Sequence, residues 1–178
     1  IENGEFQNNN KLIEIFKQVQ KRQSTLHILG LLSDGGIHSH INHLFALLEM
    51  SKNYKIKKIA LHLFLDGRDT EPNVSKKYLD CLLEKIKDRA NIIISTVAGR
   101  YFAMDRENNW DRTELSYQAI AHAEGVKYKT YEDFYEQTNK KIMDEFVSPF
   151  VIEGYTGVAE NDPMLFFNFR ADRMRQIC

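Results

Sequence analysis

Arginine, aspartate and histidine recur in this chain where apolar runs give way to polar ones. Leu26–Leu32 leads into Ser33-Asp34-Gly35-Gly36-Ile37-His38-Ser39-His40, and Ile59–Leu65 leads into Asp66-Gly67-Arg68-Asp69. Residues 92–97 precede Gly99-Arg100-Tyr101-Phe102-Ala103-Met104-Asp105-Arg106, and residues 164–169 precede Arg170-Ala171-Asp172-Arg173. A guanidinium presents a planar fork of donors that matches carboxylate and phosphate oxygens. Arg68, Arg100, Arg106, Arg170 and Arg173, with His38 as a further donor, therefore suit a small doubly anionic ligand. A charged hydrogen bond contributes roughly 1.5–3 kcal/mol. Two or three such bonds reach only about millimolar affinity, so tight, oriented binding needs the whole set. Asp69 either pairs with its neighbour Arg68 or, at a strand end, orients a substrate hydroxyl and takes its proton.

The elements must bring these clusters together. Apolar positions at helical spacing over 8–23, capped by the asparagines at its start, predict an amphipathic helix. Strands are predicted at 26–32, 58–65, 91–97, 147–155 and 164–169. Helices are predicted at 39–51, 74–89, after residue 110, and at 131–141. Asp111 is the predicted N-cap of the third of these, with Glu114 at the capping-box position, Trp110 and Leu115 spaced as a hydrophobic staple, and Gly125 as C-cap. Thr130 and Asp133 open the fourth. Strands alternating with helices predict right-handed βαβ units. The expected fold is a three-layer α/β/α domain with a mainly parallel sheet flanked by helices. In such sheets ligands sit beyond the carboxyl ends of the strands, which is where the arginines fall.

Other chemistries are weaker. His38-x-His40-x-x-His43, with Asp34 upstream, has the residue types of a metal site, but a helix beginning near Ser39 sends His40 and His43 along one flank and leaves His38 in the loop. No metal is expected in this chain. His27, His62 and His122 read as structural. Neither a P-loop nor a dinucleotide fingerprint occurs. Arg22, Arg89 and Arg112, which follow no strand, read as surface ion pairs, and Cys81 reads as a thiol at the core edge of its helix.

With 178 residues and 43% hydrophobic residues, the chain suffices for one domain with an ordinary core. Its net charge of −1 argues against nucleic acid. No apolar stretch approaches the roughly 20 residues of a bilayer span, so no membrane is expected. Two cysteines supply no disulfide framework, which favours the cytoplasm. The chain opens on Ile1 rather than methionine and stops at Cys178, so an excised domain is expected.

The same clusters resemble the 2,3-bisphosphoglycerate-independent (cofactor-independent) phosphoglycerate mutases. The matching stretches are residues 31–40, 64–69, 98–106, 110–112 and 167–173, and the likeness extends to Asn3-Gly4-Glu5-Phe6. The resemblance implies a two-domain isomerase of glycolysis. In it an alkaline-phosphatase-like domain with two manganese ions and a serine nucleophile passes the phosphoryl group through phosphoserine. This chain, residues 1–178, resembles the inserted substrate-binding (phosphotransferase) domain. His38, Arg68, Asp69, Arg100, Arg106, Arg170 and Arg173 match the substrate-binding set. Arg170 and Arg173 are implied to hold phosphate or carboxylate, and Asp69 to manage hydroxyl protons. The implied partners are 3-phosphoglycerate or 2-phosphoglycerate and the metal domain of the same polypeptide, in a monomer. The manganese ligands are implied to lie outside this chain, which alone is expected to be inactive. The competing readings are a free-standing anion-binding regulatory module and a metallohydrolase built on His38, His40 and His43.

Overall fold

Three apolar runs without period-two alternation are buried on both faces, as parallel strands covered by helices on each side must be. They are β1 (Leu26–Leu32), β2 (Ile59–Leu65) and β3 (Ile92–Gly99). The computed structural model describes residues 1, 3–138 and 142–178. Six strands form one sheet in the order β4-β5-β3-β2-β1-β6, where β4 is Val126–Tyr128, β5 Phe150–Ile152 and β6 Met164–Phe166. β3, β2, β1 and β6 run parallel, whereas β5 is antiparallel to β3 and carries β4 parallel to itself. The mainly parallel three-layer α/β/α expectation holds, with a reversed two-strand margin.

Helices α1 (Asn10–Arg22), α2 (Ile41–Asn53), α3 (Ser75–Ile86) and α6 (Tyr131–Gln137) bury their apolar stripes on one face of the sheet. Phe16, Leu44, Leu79 and Phe134 meet Ile28, Leu61 and Val97 there. The short α4 (Arg100–Ala103) and α5 (Trp110–His122) cover the other face, through Ala103, Ala119 and Ile120 against Leu29, Phe64 and Val151.

Register matters more than element count. Leu32 pairs with Leu65, and Leu65 with Gly99. The residues that follow, Ser33, Asp66 and Arg100, therefore emerge side by side. Gly99 permits this level ending, because a Cβ there would run into the Glu145 carbonyl. On the other side of β1, the chain beyond β6 stays against it: Asn168 Oδ1 accepts from the Leu31 amide and the Phe169 amide donates to the His38 carbonyl. Gly30 makes room, since a Cβ there would lie 2.7 Å from Asn168 Oδ1 and the Phe167 ring.

Several local expectations are corrected. The predicted strand at 147–155 contracts to three residues, and β4 carries no sequence signal because a mostly exposed Val-Lys-Tyr is too short to show a period. α5 is capped at Asn109 without a side-chain bond, and Asp111 lies in its first turn, where a negative charge suits the helix dipole. Trp110 and Leu115 are both exposed, so no staple forms. α5 ends on Ala123 in the left-handed region (φ 54°), not at Gly125. Cys81 is exposed rather than at the core edge. Arg89 is no surface ion pair: it donates to the Leu48 carbonyl at 2.7 Å and to Ser51 Oγ at 2.9 Å near the end of α2. The Asn9 cap of α1 and the reciprocal Thr130–Asp133 box of α6 form as predicted. Positions 139–141 of the predicted 131–141 helix lie outside the described residues.

Candidate anion-binding site

The three adjacent strand ends build a charged core for the site. Asp66, 2% exposed, accepts from Ser33 Oγ at 2.6 Å, from Arg100 Nη1 at 2.6 Å, and from the amides of Arg68 and Asp69. Burial pushes its carboxyl pKa up, but the bonds from Ser33, the Asp69 amide and Arg100 outweigh it and leave the pKa below the ordinary value. Arg100 Nη1 also lies 2.8 Å from Asp69 Oδ2, an ion pair out of hydrogen-bond alignment. Arg100 is thus a buried guanidinium set between two aspartates, Asp66 and the less buried Asp69. Gly35 lets the first loop approach, since a Cβ there would lie 2.9 Å from Asp69.

The β6 side supplies the rest. Arg106 Nη1 donates to Asp172 Oδ2 at 2.8 Å, and Arg170 Nε lies 3.1 Å from Asp172 Oδ1. His38 Nδ1 lies 3.7 Å from that same oxygen. Arg173 Nη1 donates to the Met104 carbonyl at 3.0 Å. Arg68, exposed, reaches Glu145 only at 3.9 Å. The Arg173 guanidinium is destabilised first by burial and then by the charges of Arg106, Arg100 and Arg68. That ordering reports a shared cationic field. His38 is lowered by burial and by Arg100, against the pull of Asp69 and Asp172, so it stands as a neutral donor at pH 7. Asp172 is held below the ordinary carboxylate range: burial raises it, and the Arg106 bond with the Arg170 charge outweighs that.

All seven predicted site residues, His38, Arg68, Asp69, Arg100, Arg106, Arg170 and Arg173, therefore lie along one edge of the parallel strands. Their charges meet over a switch point, because β2 and β3 step away from β1 on one side and β6 lies on the other. Among the described residues, His38 Nδ1, Asp69 Oδ2, Asp172 Oδ1 and Arg173 Nε are buried without a hydrogen-bond partner. Two of these, Asp69 Oδ2 and Asp172 Oδ1, face guanidinium groups at 2.8 and 3.1 Å, which leaves His38 Nδ1 and Arg173 Nε as the donors without an acceptor. Asp66, Glu145 and Asp172 were not assigned from the sequence. Asp66 had a signal, as the first residue past β2; Glu145 arrives from a distant turn and had none. An apolar cavity of about 520 Å³, lined by Leu29, Ile120, Phe166 and Ile177 among others, contains none of these arginines.

The histidine trio does not converge. His38 faces Asp172, His40 caps α2 by accepting from the Asn42 amide, and His43 packs between Phe6 and Phe169. No group of three metal-ligating side chains is found among the described residues. His27 and His62 are buried in the sheet, as their structural reading requires.

The family described as BPG-independent PGAM N-terminus (iPGM_N) matches residues 1–178. The chain is 46% identical to the 2,3-bisphosphoglycerate-independent phosphoglycerate mutase of Listeria monocytogenes, over 99% of this chain and 36% of the relative. It is 44% identical to the enzyme of that name from Staphylococcus epidermidis, over 99% of this chain and 35% of the relative. A crystal structure of Leishmania mexicana phosphoglycerate mutase at low cobalt concentration superposes with a TM-score of 0.87 at 28% identity, covering 99% of this chain and 35% of that one. The chain thus spans about a third of the length of the relatives it matches. On the whole-length family match, the chain belongs to the N-terminal domain family of the 2,3-bisphosphoglycerate-independent phosphoglycerate mutases.

Proposed function

We propose that this chain is the substrate-holding domain of an enzyme that interconverts 3-phosphoglycerate and 2-phosphoglycerate in glycolysis. The observation that carries the reading is the meeting of His38, Asp69 and five arginines from four strand ends over one switch point. Phosphoglycerate offers a carboxylate, a hydroxyl and a phosphate. Arg170 and Arg173 take the phosphate or carboxylate, and Arg68 and Arg106, both exposed, close on it from the rim. Neutral His38 donates to an anionic oxygen. Asp69, held by Arg100, orients the free hydroxyl and accepts its proton as the oxygen becomes a nucleophile.

In this proposal residues 1–178 form one domain of a monomeric cytoplasmic enzyme. The phosphoryl group is carried on a serine, beside two manganese ions, in a separate metal domain of the same polypeptide. The side chains described here do not form a metal site. Their part is to bind, orient and move protons.

Calorimetric titration of the chain with 3-phosphoglycerate and with sulfate, repeated on Arg170→Ala, tests the reading. Phosphoglycerate should bind more tightly than sulfate and lose at least about tenfold in the variant, the worth of one charged hydrogen bond. Equal weak heats, unchanged in the variant, would reduce the arginines to a generic anion patch. Supplied alone with 3-phosphoglycerate, the chain should form no 2-phosphoglycerate; appreciable product would overturn the division of labour.

A further inference from the structure

Asp172 has no part in the reading above, yet it makes the closest contacts to the cations of the β6 side. One oxygen accepts from Arg106 at 2.8 Å, while the other lies 3.1 Å from Arg170 Nε and 3.7 Å from His38 Nδ1. Its carboxylate stands where an anionic ligand of these three residues would put its own oxygens. It follows Ala171 in a short 3-10 turn beyond an extended Arg170 and is partly exposed, so it has solvent to move into. Withdrawing Asp172 removes a negative charge from beside Arg106 and Arg170, which frees both guanidinium groups for an incoming anion.

We propose that Asp172 is an internal substitute ligand: it holds Arg106, Arg170 and His38 in position while the crevice is empty and is displaced by the entering phosphate group. It is a positioning residue that also sets specificity. A monoanion gains too little to displace a carboxylate already bound to two guanidinium groups, whereas a dianion gains enough. The inference rests on the proposed function only in that the same arginines take the anion.

The test compares the unaltered chain with Asp172→Asn in titrations with inorganic phosphate and with acetate, alongside thermal melts at several phosphate concentrations. Asp172→Asn should bind phosphate about tenfold more tightly, having lost one competing charged contact. It should bind acetate where the unaltered chain does not. Its melting temperature should be lower without phosphate and should recover as phosphate rises. Should the variant be unfolded alone, phosphate must restore the fold. Equal or weaker phosphate binding, or a stability loss that phosphate does not repair, would make Asp172 an ordinary structural ion pair and overturn the inference. In that case phosphate binding by the unaltered chain that Arg170→Ala abolishes would leave the proposed anion site standing. If neither form binds phosphate, both fall.

Discussion

At the scale of single residues, the arginines of the crevice divide by burial, and burial decides what each one does. Arg100 is 4% exposed and lies between Asp66 and Asp69. Removing its guanidinium would leave two carboxylates without a counter-charge, and breaking a buried pair in that way costs about 3–5 kcal/mol. Arg106 is exposed, and surface pairs contribute under about 1 kcal/mol. Urea unfolding should therefore show a loss of about 3–5 kcal/mol for Arg100→Met and under about 1 kcal/mol for Arg106→Met. Both variants should bind 3-phosphoglycerate less well. Equal stability losses would mean that the Asp66–Arg100 pair is not the internal support of the site. The arginines themselves were legible in the sequence because each follows an apolar run. Their division into support and ligand-facing groups was not, since burial depends on neighbours distant in the chain.

At the scale of elements, the level ending of β1, β2 and β3 places Ser33, Asp66 and Arg100 in contact, and a buried histidine pair crosses the same strands. His27 Nδ1 lies 2.9 Å from His62 Nε2, and His62 Nδ1 lies 2.9 Å from Thr96 Oγ1. His27 Nε2 lies 3.3 Å from Asp162 on the loop before β6. Burial, and then the charge of His27, holds His62 well below the ordinary imidazole value of 6.5. Burial also lowers His27, against the opposing pull of Asp162. In the unfolded chain both rings take up protons near pH 6.5, while in the fold they resist doing so. The unfolded state then binds more protons, and stability falls as pH drops below about 6.5 toward the lower folded values. Calorimetric melts between about pH 7.5 and 5 should show this fall, with a slope of up to about 1.4 kcal/mol per pH unit for each histidine. His62→Gln should flatten part of it. A profile that does not change with pH would mean that both rings keep the same pKa in the folded and unfolded chain. Both histidines read as structural in the sequence, but their pairing needed the register of β1 on β2.

At the scale of the whole molecule, a chain of net charge −1 concentrates guanidinium groups on one edge of its sheet. Arg68, Arg106 and Arg170 are exposed, so the attraction they exert passes partly through water. Opposite charges farther apart than the Debye length are screened, and that length falls from about 10 Å at 0.1 M salt to about 3 Å at 1 M. Affinity for 3-phosphoglycerate should accordingly weaken steadily as potassium chloride is raised over that range, as calorimetry would report. Binding indifferent to salt would place the ligand in an apolar cavity such as the one beside Ile120 and Phe166, away from the arginines.

What the sequence determined by itself was the alternation of buried strands and amphipathic helices, the parallel sheet that follows from it, and the appearance of charged residues at strand ends. These depend on periodicity and on polar breaks in apolar runs, which are local. The likeness of four long motifs in order to a known family was legible there as well. Tertiary structure decided the rest. It reversed β4 and β5 against the parallel strands, carried Glu145 to the side of Arg68, and closed Asp172 onto Arg106, Arg170 and His38. Each of those outcomes joins segments far apart in the chain or sets a side-chain direction at the end of a turn. No spacing along the sequence encodes either, because both depend on register and packing across the sheet.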